Sequence, residues 1–254
     1  MRRHMNRIPI SAASILPGSG ACEDCLPLGL SAHLRARLRL LAVHRIQVAH
    51  GETLLHAGAA FRHLYAVCKG SFKSVFLGED GGQQIIAFHW PRQLLGLSGF
   101  AEKTCLTDLI ALEPTEAYEF SWHAIEALAR ESPEFLEHLL DSMSERLALA
   151  KRDQFMLGSM CSTQKIAYFL LQMAAHAPAC GLAAGSFTLP MTREDIGSYL
   201  GLTMETVSRL LSQLSKAGVV LIDRKRVTLR KSDVLQAWLD GETKPFAWKS
   251  PIHV

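Results

Sequence analysis

The sequence predicts an α+β protein with a β-rich N-terminal unit, one long helix and a C-terminal helix-turn-helix followed by a β-hairpin. Three observations predict it. From about Ile46 to Phe120, short apolar runs are broken by Gly51, Gly58, Gly70, Gly78, Gly81-Gly82, Pro91 and Gly96, the turn density of a sandwich or roll of short strands. Ser132, Pro133 and Glu134 supply an N-cap, a proline at the first helical position and an acid in the first turn. Behind them Leu136, Leu139, Leu140, Met143, Leu147 and Ala150 keep one apolar seam running for several turns. From Thr188 to Gly218, two stretches of helical period flank Gly201-Leu202.

Residues 1–31 are rich in Ser, Pro, Gly and Arg without sustained periodicity, and read as a tail that carries Cys22-Glu23-Asp24-Cys25. The β-rich unit is assigned residues 32–131 and opens on a short helix, Ala32 to Leu41. The long helix takes 132–160, and its seam either packs on the β-rich unit or pairs with its twin in a dimer. A further helix, from about Ser162 to Ala175, enters the C-terminal unit at 161–235, and 236–254 reads as a second tail.

Inside the C-terminal unit, Thr192 and Asp195 have the spacing of a capping pair, and the helix they open closes near Leu200. Gly201 supplies the tight turn between two crossing helices. On the second helix, Thr203 to Lys216, the residues Met204, Val207, Leu210, Leu211 and Leu214 form a stripe that must be buried. Glu205, Ser208, Arg209, Ser212 and Lys216 fall on the opposite side. Such a helix sets its N-terminal part against base edges in the major groove of double-stranded DNA. There Arg209 is able to donate two hydrogen bonds to guanine, Glu205 to accept from a cytosine amino group, and Ser208 to do either. Val219 to Ile222, Asp223-Arg224-Lys225 and Arg226 to Leu229 read as a wing with a cationic tip for phosphate. The candidate DNA contacts are therefore Thr203, Glu205, Thr206, Ser208, Arg209, Ser212 and Lys216, with Arg224 and Lys225 on the wing.

Charge distribution agrees. The net charge of the 254 residues is only +3, but eight Lys or Arg against four Asp or Glu lie between Thr188 and Lys231, so the basic excess sits where DNA would. No run approaches the roughly 18 apolar residues of a membrane span, and the N-terminus has no compact apolar signal core, so a cytoplasmic location without membrane attachment is expected. Cys22, Cys25, Cys68, Cys105, Cys161 and Cys180 are then expected as thiols or ligands rather than disulfides.

The run from Met191 to Leu211, MTREDIGSYLGLTMETVSRLL, resembles the DNA-binding signature of the CRP/FNR superfamily of bacterial transcription regulators, and Glu205-x-x-Ser208-Arg209 is similar to its FNR branch. The resemblance extends, more weakly, from about Cys22 to about residue 235. It implies a cyclic-nucleotide-binding-type β-roll, a long dimerisation helix and a winged helix-turn-helix. It also implies a homodimer on TTGAT-N4-ATCAA-like palindromes, acting on RNA polymerase in response to a redox, oxygen or related signal.

The superfamily's cyclic AMP pocket holds a glutamate after a glycine, and an Arg-Ser or Arg-Thr pair for the phosphate. Here the matching stretch is Leu95-Gly96-Leu97-Ser98 and no arginine lies between Ala101 and Ala129, so cyclic AMP is rejected as effector. The FNR branch binds a [4Fe-4S] cluster on four cysteines. Cys22 and Cys25 match the first pair, but the third and fourth ligands would fall near Ser31 and Tyr118, which leaves two of four. Three readings stand: a rearranged metal site of Cys22 and Cys25 with Cys105, or less obviously Cys68; a dithiol switch at Cys22 and Cys25; or a remnant of a lost cluster. Cys161 and Cys180 read as structural or incidental, since small buried thiols are common in packed helices. His44, His50, His56, His63 and His89 are dispersed without the close pairing of a zinc motif. No phosphate loop, nucleophile elbow or tight carboxylate cluster suggests an enzyme. The alternative to a DNA-binding regulator is a ligand-sensing adaptor that has lost DNA binding.

Overall fold

In a computed structural model of the chain, residues 14–16, 26–27, 29–177 and 185–241 are described. They fall in two compact units that divide at Leu147 and Ala148. The first unit is two antiparallel sheets. One runs in the order β1 (Ser14–Leu16), β2 (Ala42–Val48), β9 (Thr115–Ser121), β4 (His63–Lys69), β7 (Leu94–Leu95). The other runs β3 (Thr53–Leu55), β8 (Asp108–Ala111), β5 (Phe72–Leu77), β6 (Gln83–His89).

Strand β4 shows why the sequence of this unit reads as apolar runs rather than as clean alternation. Leu64 and Ala66 face one core with α1 (Ala32–Leu41), α2 (Trp122–Glu131) and the start of α3 (Pro133–Ser159), while Tyr65 and Val67 face the other, between the sheets. A strand covered on both faces has no solvent side on which to place polar residues. The first core also takes Leu26 and Leu30, which precede α1, together with Phe135 and Leu139 of α3. Ser31 caps α1, its hydroxyl accepting from the Leu34 amide at 3.3 Å, and its own amide donates to Glu134 at 3.3 Å.

Helix α3 carries the seam expected of it, but the seam divides. Phe135 and Leu139 are buried, whereas Leu136, Leu140, Met143 and Leu147 stand 42–58% exposed. In the second unit, α4 (Ser162–His176), α5 (Arg193–Leu200) and α6 (Met204–Lys216) pack with a small sheet ordered β10 (Ser186–Thr188), β12 (Arg226–Leu229), β11 (Val220–Asp223), and α7 (Ser232–Leu239) covers α4. β10 and α7 were not read from the sequence. Three residues are too few to show a period, and β10 is identified only by its pairing of Phe187 with Val227.

Candidate nucleic-acid interface and effector cavity

The turn between α5 and α6 is built by two glycines and two caps. Thr192 and Asp195 form a reciprocal capping box, with bonds of 3.0 and 2.9 Å. Gly201 ends α5 at φ +61, in the region only glycine enters without penalty. Gly197 matters for a different reason: a Cβ there would sit 2.6 Å from the Leu202 carbonyl oxygen, so the absent side chain is what lets the connection fold back on α5. The Leu202 amide then donates to the Gly197 carbonyl at 2.9 Å. A glycine inside a helix is the signal that marks this position in the sequence.

Thr203 caps α6, accepting from the Thr206 amide at 3.2 Å and donating its hydroxyl to the Thr206 hydroxyl at 3.1 Å. Both threonines, singled out as DNA contacts, thus hold the helix start. Val207, Leu210, Leu211 and Leu214 are buried; Met204, placed in the same stripe by its period, is instead 48% exposed. It lies at the first residue of α6, and a helix end lacks neighbours on one side. On the outward face Glu205, Arg209, Ser212 and Lys216 are exposed, and Ser208 and Thr206 half-buried. The wing's tip is Arg224-Lys225, both exposed, with Arg224 at φ +55. Lys225 donates through Nζ to the Pro190 carbonyl at 3.5 Å, which anchors the tip to the segment leading into α5.

The same unit holds a polar group that sequence reasoning missed. Asp153, near the end of α3, accepts a 2.8 Å hydrogen bond from the Tyr168 hydroxyl of α4 and another from Tyr199 of α5. Burial holds its carboxyl above the usual carboxylate range, against the tyrosine hydrogen bonds, and both phenols are pushed well above theirs by burial.

In the first unit, Leu95-Gly96-Leu97-Ser98 lines a cavity of about 80 Å³ together with Ser74, His89, Cys105, Thr107 and Arg146. Gly96 has φ +97, and a Cβ on it would press on the His63 carbonyl oxygen at 3.1 Å. Leu97 is 7% exposed and puts an alkyl group where the resembling family places a carboxylate. The cavity's arginine comes from outside the stretch inspected in the sequence: Arg146 on α3 donates to the Leu94 carbonyl at 2.6 Å, and burial lowers its pKa. His89 shares a 2.7 Å hydrogen bond between Nε2 and Ser74 Oγ. Burial, reinforced by the charge of Arg146, brings its pKa down to about 3, so it is neutral. The Gln93 side chain is near enough to oppose this slightly, yet His89 Nδ1 is buried without a partner of hydrogen-bonding geometry.

Cys22, Cys25 and Cys180 lie outside the described residues. Cys105 is buried on the cavity wall, its thiol pushed up by burial, and Cys68 is half-buried beside the α1 core. Of the two readings of Cys161, the packed thiol does not hold: it is exposed at the N-cap of α4, where partial burial works to raise its pKa but hydrogen bonds from Thr163 and backbone amides bring it down. Among the described residues, no group of three or more His, Cys, Asp or Glu is placed to hold a metal ion. Ser31 is occupied as a helix cap, and Tyr118 is a buried core residue at 4% exposure. Neither described position serves as a cluster ligand. No described helix is long and apolar enough to cross a membrane.

A β-roll followed by a long helix and a winged helix-turn-helix defines the class of regulators that couple a sensor domain to DNA. Residues 45–132 match the cyclic nucleotide-binding domain family and residues 164–238 the Crp-like helix-turn-helix domain family. The chain is 32% identical over 211 residues to regulatory protein HlyX of Actinobacillus pleuropneumoniae, covering 83% of this chain and 88% of that protein. It is 31% identical over 235 residues to the fumarate and nitrate reduction regulatory protein of Salmonella typhimurium, covering 89% and 92%. The solved structure of FixK2 from Bradyrhizobium japonicum aligns with a TM-score of 0.70 at 30% identity, over 76% of this chain and 94% of that one. The chain belongs to the CRP/FNR family and is a DNA-binding transcription regulator, which sets aside the adaptor reading.

Proposed function

We propose that the protein binds a TTGAT-N4-ATCAA-like palindrome as a homodimer, through Glu205, Ser208 and Arg209, and that bound protein recruits or blocks RNA polymerase. The observation that carries this is the outward face of α6: its opposite face is buried, its ends are capped, and these three side chains stand near its N-terminus. The dimer is supported by α3. Leu136, Leu140, Met143, Leu147, Ala150, Gln154 and Leu157 follow one another at alternating steps of four and three, and all seven are exposed. That spacing is what a two-stranded coiled coil uses for its seam, here with one polar position, and it supports the dimer reading.

A redox signal at Cys22-x-x-Cys25 fits the packing downstream of it. Leu26, directly after Cys25, is 2% exposed in the core that also holds Phe135 and Leu139 of α3, so closing or opening a dithiol pair there bears on that helix. The residues at Ser31 and Tyr118 do not fit a four-thiolate cluster of the FNR kind. A cyclic nucleotide fits no better, because the 80 Å³ cavity is far below the roughly 300–1,000 Å³ of sites for drug-sized ligands.

The test is a gel-shift titration with the palindrome and a scrambled duplex at matched salt. Wild-type protein is expected to prefer the palindrome. Arg209→Ala should lose about 1–3 kcal/mol and relax at one base pair, and Lys225→Ala should weaken binding to every sequence and lower the salt slope by about one. No preference by the wild type would overturn the reading.

A further inference from the structure

We propose that the cavity of the β-roll is a binding site for a small planar oxyanion, an acetate-sized carboxylate or an inorganic ion such as nitrate, held by the guanidinium of Arg146. The inference concerns the first unit alone and does not depend on how the second unit reads DNA.

Charge is the first argument. Of the residues that line the cavity none is acidic, His89 is neutral and Cys105 is held as a thiol, so Arg146 brings the one net charge. A guanidinium has five N–H donors and does not shed its proton in proteins. The Leu94 carbonyl is its one hydrogen-bond partner among the described residues, and the acid whose field it feels is its exposed neighbour Glu145. Arg146 is half-buried with its guanidinium at the cavity, and a cation partly withdrawn from water without an anion is costly. Here the residue that would be placed to do so, after Gly96, is Leu97.

The second argument is the shape and lining of the space. Leu55, Leu94, Leu95, Leu97, Leu106 and Leu109 form apolar walls, which strengthen any charge-assisted hydrogen bond inside. The polar groups besides Arg146 include the hydroxyls of Ser98 and Thr107, and His89 has an unpartnered buried nitrogen. An apolar cavity of roughly 150 Å³ holds benzene, so 80 Å³ suits a ligand of about three to five heavy atoms. A planar ion with two or three oxygens at that size is what the arginine fork recognises in bidentate fashion. Because Arg146 stands on α3 while Leu94 and Leu97 belong to the roll, an anion bound between them would tie the helix to the sensor sheet.

The experiment is a thermal-shift titration of the full chain, without DNA, with sodium acetate, sodium nitrate and sodium chloride at constant ionic strength, and separately with cyclic AMP. Acetate, nitrate or both should raise Tm saturably above chloride, by roughly 5 °C at a hundredfold excess over Kd. Acetate alone would identify a carboxylate ligand and nitrate alone an inorganic one. Arg146→Met, which keeps the alkyl stem, should abolish the rise. Should that variant not fold, Thr107→Val should weaken binding severalfold, and the wild-type arginine Nε–H resonances should include one that shifts along the same isotherm. A Tm response no different from chloride up to 100 mM, an undiminished response in Arg146→Met, or a larger one with cyclic AMP would overturn the proposal.

Discussion

Replacing Leu140 by alanine tests the proposed dimer seam at one of its two most exposed leucines, Leu147 being the other. Leu140 is 58% exposed on α3, so truncation leaves no cavity in the folded subunit and should change its stability by no more than about 0.5 kcal/mol. Fully burying a leucine that was exposed contributes about 1.5–3 kcal/mol. Scaled by the 58% still available, each copy brings about 1–1.7 kcal/mol to an interface, and twofold symmetry doubles it. With one decade per 1.4 kcal/mol, the dimer dissociation constant should rise roughly 20- to 300-fold. Sedimentation equilibrium on wild type, Leu140→Ala and Leu40→Ala reads it directly. Leu40 is 86% exposed on α1, off the seam, and should have no effect. Equal dissociation constants for all three, or a loss confined to Leu40→Ala, would refute the assignment of this face.

Gly197→Ala should lower Tm by several degrees and DNA affinity with it, because the new methyl meets the Leu202 carbonyl oxygen at 2.6 Å; a Tm equal to wild type would show that the turn relaxes freely. His89 is held to about 3, below its free value of about 6.5, so the unfolded chain binds more protons in that window and stability falls as pH drops through it. His89→Gln should flatten the pH dependence of urea unfolding between about pH 6.5 and 3 by an amount on the order of a few kcal/mol, and an unchanged slope would place the acid sensitivity elsewhere. Tyr168→Phe removes a hydrogen bond to the Asp153 carboxylate and should cost about 1.5–3 kcal/mol at neutral pH. Since burial raises the Asp153 pKa, the carboxyl takes a proton early on acidification, and the cost should shrink toward pH 4; a pH-independent cost would mean the charge is not what Tyr168 serves.

The helix-turn-helix was legible because each of its parts is local. Thr192 with Asp195, Gly201 and Thr203 act within one or two turns of chain, and the buried stripe from Val207 to Leu214 follows from helical period alone. The β-roll was legible as a class but not as a topology, since strands such as β4 bury both faces and so carry no alternation to orient them. What escaped was long-range. Arg146 is 52 residues from the Leu94 carbonyl it reaches, and a window drawn around the loop that resembles a nucleotide site could not contain it. Asp153, Tyr168 and Tyr199 form one cluster from three helices, and nothing in the spacing of an acid and two tyrosines announces that. The apolar seam of α3 was visible, but its division required knowing that Phe135 and Leu139 turn inward to the core of Leu26 and Leu30.

That division gives α3 three assignments along its length. Near its start Phe135 and Leu139 belong to the core that also holds the residue after Cys25. At Arg146 it supplies the charge of the β-roll cavity, and at Asp153 and Met156, the latter fully buried, it belongs to the unit that carries α5 and α6. The exposed row from Leu136 to Leu157 runs beside all three on a repeat of 3.5, while the helix itself turns every 3.6 residues. Pairing along that row would therefore ask the helix to supercoil slightly, and a supercoiled helix does not present Phe135 and Arg146 to the first unit as a straight one does. Were the proposed anion to favour one arrangement of the inward contacts, it would by linkage change the proposed dimer's constant by the same factor that dimerisation changes its own affinity. Such a coupling is measurable from either end: the dissociation constant of the proposed dimer with and without the anion, and the affinity for the anion in monomer and dimer, would give one number.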